Sequence, residues 1–333
     1  MLPTSRFEDD EHRTMSTVRL AVVMDPIEHI KYAKDSTLAM LLAAQNRGWE
    51  LSYFELQDLK LRDGVALGRG RALRVRADPE HWFDLGPAEV VPLGAFDCIL
   101  MRKDPPFDTE YIYSSYILER AELAGALVVN RPQGLRDMNE KVYTAWFPEC
   151  CAPTLITRDM ADMAAFLREH GKIVCKPLDG MGGRSIFVLA SDDKNMNVVF
   201  ETLTAYGERF AIVQRYLPEI VASGDSRILL IDGEAVPFAL ARIPTATDNR
   251  GNLAAGATGV GRPLRERDRW LAERIGPKLA AQGMLFVGLD VIGDYVTEIN
   301  VTSPTGIREL DRQFNLDIGS LAVDAIERRL RAR

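Results

Sequence analysis

"VCKPLDGMGGRSIFVL", residues 174–189, poses the fold problem. Lys176 stands inside an apolar, strand-like run and is followed closely by Gly180, Gly182 and Gly183. The stretch lacks the Gly-Lys-Ser/Thr ending of a phosphate loop. Its glycine spacing, and the lack of a following helix, exclude the dinucleotide-binding turn. "KIVCKPL" before the glycines and "SIFVL" after them read as two strands, which predicts a hairpin with a pliable tip. A lysine on a mostly buried strand needs an anionic partner or a route to water. Either Lys176 snorkels to the surface or pairs with Asp179, or it faces nucleotide phosphates while the glycines let backbone N–H groups approach the anion.

Around this hairpin, residues 135–216 read as one unit. A helix is expected to open near Asp137 with Glu140 as its capping partner. It is followed by the strand "TLIT", a helix from Asp159 to His170 closed by Gly171, the hairpin, a helix near 195–206 and the strand "FAIVQRYL". Lys141 falls on the first of these helices, either as a solvated lysine or as a second cation for the same anion.

Upstream, residues 17–134 alternate strands and helices: "VRLAVVMDP", a helix from Asp35 or Ser36 through Arg47 ended by Gly48, "WELSYFEL", "FDCILMR", a helix around 109–124, and "ALVVN". That alternation implies a parallel α/β layer whose functional edge is at the strand C-termini, where Asp25, Arg102, Lys103 and Asp104 fall. Downstream, residues 217–333 hold the pair "SRILLIDGEAVPFALARI" with an Asp232-Gly233 turn. A helix near 265–283, kinked at Gly276-Pro277, precedes a second strand pair, "FVGLDVIGDYVTEINV", and a closing helix near 317–331.

Asp290, Glu298 and Asn300 stand out in that last strand pair because their neighbours are strongly apolar. Glu298 and Asn300 share a face by the strand period of two. A two-residue loop at Gly293-Asp294 would put Asp290 on the opposite face, and a three-residue loop would bring all three together. Together, two carboxylates and an amide suit Mg²⁺, with ATP phosphate oxygens completing its shell; the alternative is a solvent-facing polar edge. "IVQRYLP", 212–218, is either a core strand or a strand whose backbone reads a nucleotide base. Arg227 and Arg242 are either surface arginines or forks for carboxylate or phosphate. Residues 244–263 are glycine-rich and aperiodic, a linker or a lid bringing Arg250 to a closed site.

Composition narrows the class. The chain has 333 residues, 47% hydrophobic and 27% charged, with a net charge of −7. This is globular composition, with no basic surplus for nucleic acid and no run that would cross a membrane. The polar start, 1–16, reads as a flexible extension, with Met15 as a second candidate start, and shows no signal-peptide pattern. Cys98, Cys150, Cys151 and Cys175 lack metal or redox spacing, and reduced thiols in the cytoplasm are the simple expectation.

Lys141, "KPLDGMGG", "QRYLP" and "LDVIG…TEINVTSPTGIRE" together resemble the ATP-grasp superfamily. Adding "VVMDPIEHIKYAKDST", "LMRKDPPFDTEYIY" and "ARIPTATDNRGNLAAG", the run from about 17 to 331 closely resembles the bacterial glutathione synthetases. The resemblance implies an α/β domain before a two-lobed α+β ATP-grasp fold: 17–134, then a middle lobe 135–216, then a C-terminal lobe 217–333 with a lid at 243–262. It implies phosphate contacts from Lys141, Lys176 and the glycines. Gln214, Tyr216 and Leu217 would line the adenine, and Mg²⁺, or Mn²⁺ in its place, would sit on Asp290, Glu298 and Asn300. Arg227, Arg242 and Arg250 would act on the reacting carboxyl-phosphate, while Ser303 and Thr305 would help seat the peptide. The family lid can carry a second arginine where this chain has Thr258, which leaves more to Arg250. The implied reaction ligates γ-L-glutamyl-L-cysteine with glycine, and the implied assembly is a homotetramer. Rivals are another ATP-grasp carboxylate–amine ligase, whose nucleotide half would look the same, and an ATP-binding regulator without turnover.

Overall fold

The computed structural model describes residues 17–180, 183–243 and 258–333. The first unit runs β1 (Arg19–Val23), α1 (Ser36–Asn46), β2 (Glu50–Phe54), β3 (Leu59–Arg62), β4 (Val65–Val75), β5 (Phe83–Pro92), β6 (Cys98–Met101), α2 (Thr109–Leu123), β7 (Leu127–Val129) and α3 (Pro132–Asp137). The expected parallel core is present: β2, β1, β6 and β7 lie side by side and parallel. Asp35 caps α1, accepting from the Leu38 amide at 2.6 Å. The alternation rule missed β3, β4 and β5, which extend the sheet antiparallel beyond β2. In β4 the exposed face carries arginines and the buried face carries Gly68 and Gly70, so no apolar period of two shows.

The helix expected to open near Asp137 does not form. Pro132 opens α3 earlier, and α3 ends at Asp137. The Asn139 side chain then accepts from the amides of Lys141 and Val142, both at 3.0 Å, and starts a short 3-10 turn over Val142–Trp146. The side-chain cap of Asn139 takes the place of the one expected from Asp137.

The middle lobe follows: β8 (Thr154–Thr157), α4 (Met160–His170), β9 (Lys172–Pro177), β10 (Phe187–Ala190), α5 (Met196–Thr204) and β11 (Ala211–Arg215). β9 and β10 pair antiparallel, Cys175 opposite Phe187, so the glycine stretch is the tip of a hairpin as its sequence implies. α4 has Asp159 as its cap and stops at Gly171, whose φ of +71° suits glycine.

The C-terminal lobe contains α6 (Glu219–Ser223), β12 (Asp225–Ile231), β13 (Glu234–Ile243), β14 (Thr258–Pro263), α7 (Glu266–Ala281), β15 (Phe286–Ile292), β16 (Tyr295–Asn300), α8 (Ile307–Phe314) and α9 (Ile318–Arg331). Its sheet order is β14-β13-β12-β15-β16. Asp232 and Gly233 make the predicted turn, both at positive φ. α7 continues unbroken across Pro277. Residues 258–262, expected to belong to the lid, instead form most of β14, pairing with β13 so that Gly259 faces Arg242. An edge strand is held by backbone hydrogen bonds, so its lack of apolar periodicity does not prevent it.

The apolar cores are shared unevenly. One cluster joins Val22, Leu41 and Leu100 of the first unit to Leu229, Ile318 and Ile326 of the C-terminal lobe. A second joins Ile99 and Leu118 to Ile228, Ile275 and Leu289. Asn130 stitches the two sheets, giving hydrogen bonds to the carbonyls of Phe286 (2.7 Å) and Val301 (2.6 Å) and accepting from the Phe286 amide. The middle lobe has a smaller core of its own around Met163, Leu167, Ile173 and Phe200. No helix among the described residues is long and apolar enough to cross a membrane.

Candidate active site

Between the middle and C-terminal lobes lies a cleft of about 1030 Å³, lined by five acidic and six basic side chains. Its floor is one face of the C-terminal sheet, and cross-strand register builds it. Arg227 on β12 stands opposite Asp290 on β15, and Asp290 opposite Glu298 on β16. Asn300 lies two residues on, opposite Gly288. Asp225, two residues before Arg227, stands opposite Arg242 on β13.

The register between β15 and β16 differs from both loop alternatives read from sequence. The turn is the two-residue one, with Ile292 opposite Tyr295. One extra residue, Thr297, then bulges between the pairs 291/296 and 290/298 and restores Asp290 to the face of Glu298 and Asn300. The Thr297 hydroxyl donates to the Asp290 carbonyl at 3.2 Å. A bulge re-aims side chains without changing the turn.

Asp290 is the electrostatic centre of the floor. Arg227 holds it with two donors, Nε and Nη2, and Arg242 adds Nη2 at 2.8 Å. Burial alone would raise its pKa, but the two guanidinium groups outweigh burial and hold it well below the usual carboxylate range. Gly288 makes room for this arrangement, because a Cβ there would lie 2.7 Å from Arg227 Cδ. Asp225 is pushed up to about 7 by burial, against the pull of Arg242.

Lys141 and Lys176 face this floor from above. Lys141 is buried, so the solvated-helix alternative fails: Asn139 and the 3-10 turn point it inward. Its ammonium donates to Gly180 O (2.7 Å) and to Glu140, with Glu298 at 3.5 Å. Burial opposes its charge, but Glu298 and Glu140 more than offset that and raise its pKa. The Ile299 amide donates to Glu140 O at 2.8 Å, which ties this segment to β16 and sets Lys141 beside Glu298. Lys176 is also buried and lies 3.9 Å from Glu298 rather than on Asp179. Both ammonium groups therefore converge on Glu298, with Glu140 as the nearer partner of Lys141.

At the hinge side, Gln214, Tyr216 and Leu217 line the cleft where β11 leaves the middle lobe. The Tyr216 amide donates to Lys172 O at 3.0 Å, and the Lys172 ammonium sits 4.0 Å from the Tyr216 ring centre. Gly180, Gly183, Ser303 and Thr305 also line the cleft. Gly182, Arg250 and lid residues 244–257 lie outside the described residues. At the first unit's edge, Asp25 accepts from Lys103 (2.8 Å) and from the Asp104 amide (2.9 Å), while Asp104 reaches the cleft wall.

Sequence reading missed Asp225, Glu140 and Arg215 as cleft residues. Only Asp225 carried a usable signal, its i, i+2 spacing from Arg227 on a strand. The oxygen donors of Asp290, Glu298 and Asn300 fit a hard divalent cation. The Asn300 Nδ2 is spent on Gly288 O (3.3 Å), which leaves its amide oxygen for such an ion.

Solved structures share this fold, ATP-grasp ligases among them. D-cycloserine synthetase aligns with a TM-score of 0.65 at 16% identity, covering 94% of this chain and 99% of that one. The ATP-grasp ligase PsnB, complexed with a precursor peptide and AMPPNP, aligns at 0.60 and 17% identity, covering 94% and 98%. Sequence is more specific than fold. The model for the prokaryotic glutathione synthetase N-terminal domain matches residues 18–136, and that for its ATP-grasp domain matches 140–315. The glutathione synthetase of Pseudomonas putida is 58% identical, over 95% of this chain and all of that one. That of Shewanella oneidensis is 56% identical, over 94% and 99%. The chain belongs to the prokaryotic glutathione synthetase family and is an ATP-dependent ligase.

Proposed function

We propose that this chain ligates γ-L-glutamyl-L-cysteine to glycine through an acyl phosphate, releasing ADP and phosphate. The observation that carries this is the single cleft in which two buried lysines, two buried arginines and three oxygen donors converge. The triphosphate lies under the glycine hairpin, with Lys141 and Lys176 turned from Glu298 to its phosphates, and the adenine beside Gln214, Tyr216 and Leu217. Asp290, Glu298 and Asn300 would hold the divalent cation, Mg²⁺ or Mn²⁺, which when bound neutralises phosphate charge. The cysteinyl carboxylate attacks the γ-phosphorus, and ADP leaves. Arg227 and Arg242, already fixed in the floor, stabilise charge on the transferring group with no reorganisation at that moment. The glycine amine then attacks the acyl carbon, loses its proton, and phosphate departs. Water would destroy the acyl phosphate, so the site has to exclude it during the second step. Ser303 and Thr305, beside Arg227, seat the peptide substrate.

The test is phosphate release with γ-glutamylcysteine, with and without glycine. Release and tripeptide formation that need both substrates are expected. Release only with other amino acids assigns a different ligase, and no release under any combination assigns an ATP-binding protein without turnover. A homotetramer in the cytoplasm completes the proposal, and light scattering that returns a monomer would overturn the assembly.

A further inference from the structure

Six basic side chains line the cleft, and the ligation scheme assigns four of them. Arg184 and Arg215 are left over, and Arg215 lies over the Tyr295 ring at 5.5 Å. We propose that Arg184 is a phosphate-binding residue, a third roof cation that takes the terminal phosphates of the nucleotide. This rests on the reading that the triphosphate lies under the glycine hairpin.

Its place in the chain puts it there. Arg184 follows Gly183, where the glycine stretch turns back toward β10. A Cβ at Gly180 would lie 3.3 Å from the Arg184 carbonyl oxygen, so the two backbones meet closely at the tip. The Gly180 carbonyl also accepts from Lys141 Nζ at 2.7 Å. Lys141 and Arg184 are therefore attached to the same tip, and Lys176 stands on β9, which leads into it.

Its bonding sets it apart from the assigned cations. Lys141 and Lys176 converge on Glu298, and Arg227 and Arg242 on Asp290. Arg184 is exposed, and among the described residues its guanidinium has no carboxylate, carbonyl or aromatic partner. It meets an incoming anion without breaking an ion pair, whereas each lysine has to leave Glu298. A triphosphate brings more negative charge than a divalent cation cancels. An uncommitted arginine suits the remainder, because it stays charged and its fork matches phosphate oxygens. The peptide's carboxylates are the other anions of this reaction. The scheme seats the peptide at Ser303 and Thr305, and Thr305 O accepts from Arg227 Nη1 at 3.4 Å on the floor, away from the hairpin.

The test compares Arg184→Ala and Arg184→Lys with the wild-type full chain. Calorimetry in Mg²⁺ gives the affinities for AMPPNP and for AMP, which lacks the terminal phosphates. Kinetics give the KM for γ-glutamylcysteine, and a thermal scan gives the melting temperature. Arg184→Ala is expected to weaken AMPPNP binding by about 5- to 20-fold, the scale of one partly exposed charge-assisted contact. AMP affinity, the peptide KM and melting should stay as they are, and Arg184→Lys should recover most of the loss. Unchanged AMPPNP affinity overturns the proposal and leaves Arg184 a solvated arginine. Equal losses for AMPPNP and AMP overturn it too. So does a raised peptide KM with nucleotide affinity intact, which assigns the guanidinium to the peptide. If the wild-type chain binds AMPPNP but does not ligate, the functional reading fails, and the AMPPNP and AMP affinities still decide the role of Arg184.

Discussion

The two lobes that face each other across the cleft are built on different terms. The C-terminal lobe shares both of its apolar clusters with the first unit, and Asn130 and Arg102 cross that boundary with buried hydrogen bonds, Arg102 to Pro304 O at 2.9 Å. The middle lobe keeps a separate core around Leu167 and Phe200 and meets the rest mainly through charged side chains and the strand that leaves it. Floor charges are paired within one sheet. Of the two lysines, Lys176 finds its carboxylate, Glu298, across the gap, while Lys141, whose segment packs into the floor's core, pairs with its neighbour Glu140 as well as with Glu298. The difference teaches how a ligase can hold a preorganised floor while its roof adjusts: buried apolar area is what joins domains rigidly, and the roof has little of it shared with the floor.

Removing the centre of the floor should have the largest effect. Asp290→Ala leaves Arg227 and Arg242 buried against each other, and denaturant titration is expected to show a loss of about 3–5 kcal/mol. A loss under about 1 kcal/mol would mean the arginines relax into solvent, and the floor is not preorganised. The roof is tested next by Leu167→Ala, fully buried in the separate core. It should cost about 2–5 kcal/mol. Hydrogen exchange should place the lost protection in residues 154–215 and leave β12 and β15 protected. Loss spread evenly over both lobes would break the distinction drawn above.

Lys176→Ala should lower turnover by about 100- to 1,000-fold with the fold intact, since its ammonium is one of the few charges the roof brings to the phosphates. Retained turnover removes Lys176 from the phosphate site. The smallest effect is a control away from the cleft. Asp311 accepts from the Ile318 amide at 3.0 Å but lacks the arginine pairing of Asp290, and burial pushes it up to about 6. Its favourable contribution is present below the unfolded value of 3.8 and is lost as pH rises through about 6. Asp311→Asn should therefore stabilise the chain at pH 8, by about 1 kcal/mol after allowing for its partial exposure, and do nothing at pH 4. Equal effects at both pH values would show that the carboxylate is not perturbed. The contrast with Asp290 isolates what the paired arginines contribute.

Local signals were read where they were strong. The glycine hairpin, the Asp35 and Asp159 caps and the Asp232-Gly233 turn all follow from short-range chemistry, and the structure has each of them. The reading failed where local and tertiary forces compete. Strands β3–β5 have one wet face and little apolar alternation, and α8 is short and follows a stretch dense in turn residues, so neither carries a clear period. For Lys141 the sequence leaves two readings open, a solvated helix lysine or a second cation, and Asn139, which turns the chain inward, decides for the buried one.

By itself, the amino-acid sequence determined which side chains share a face within each strand: Asp225 with Arg227, Glu298 with Asn300. A period of two needs no knowledge of neighbours. Tertiary structure alone decided which strand stands beside which, and that a bulge at Thr297 returns Asp290 to the common face. Register across strands is set by packing of the whole sheet against its shared core, a sum over contacts far apart in the chain, and no short stretch of residues encodes that sum.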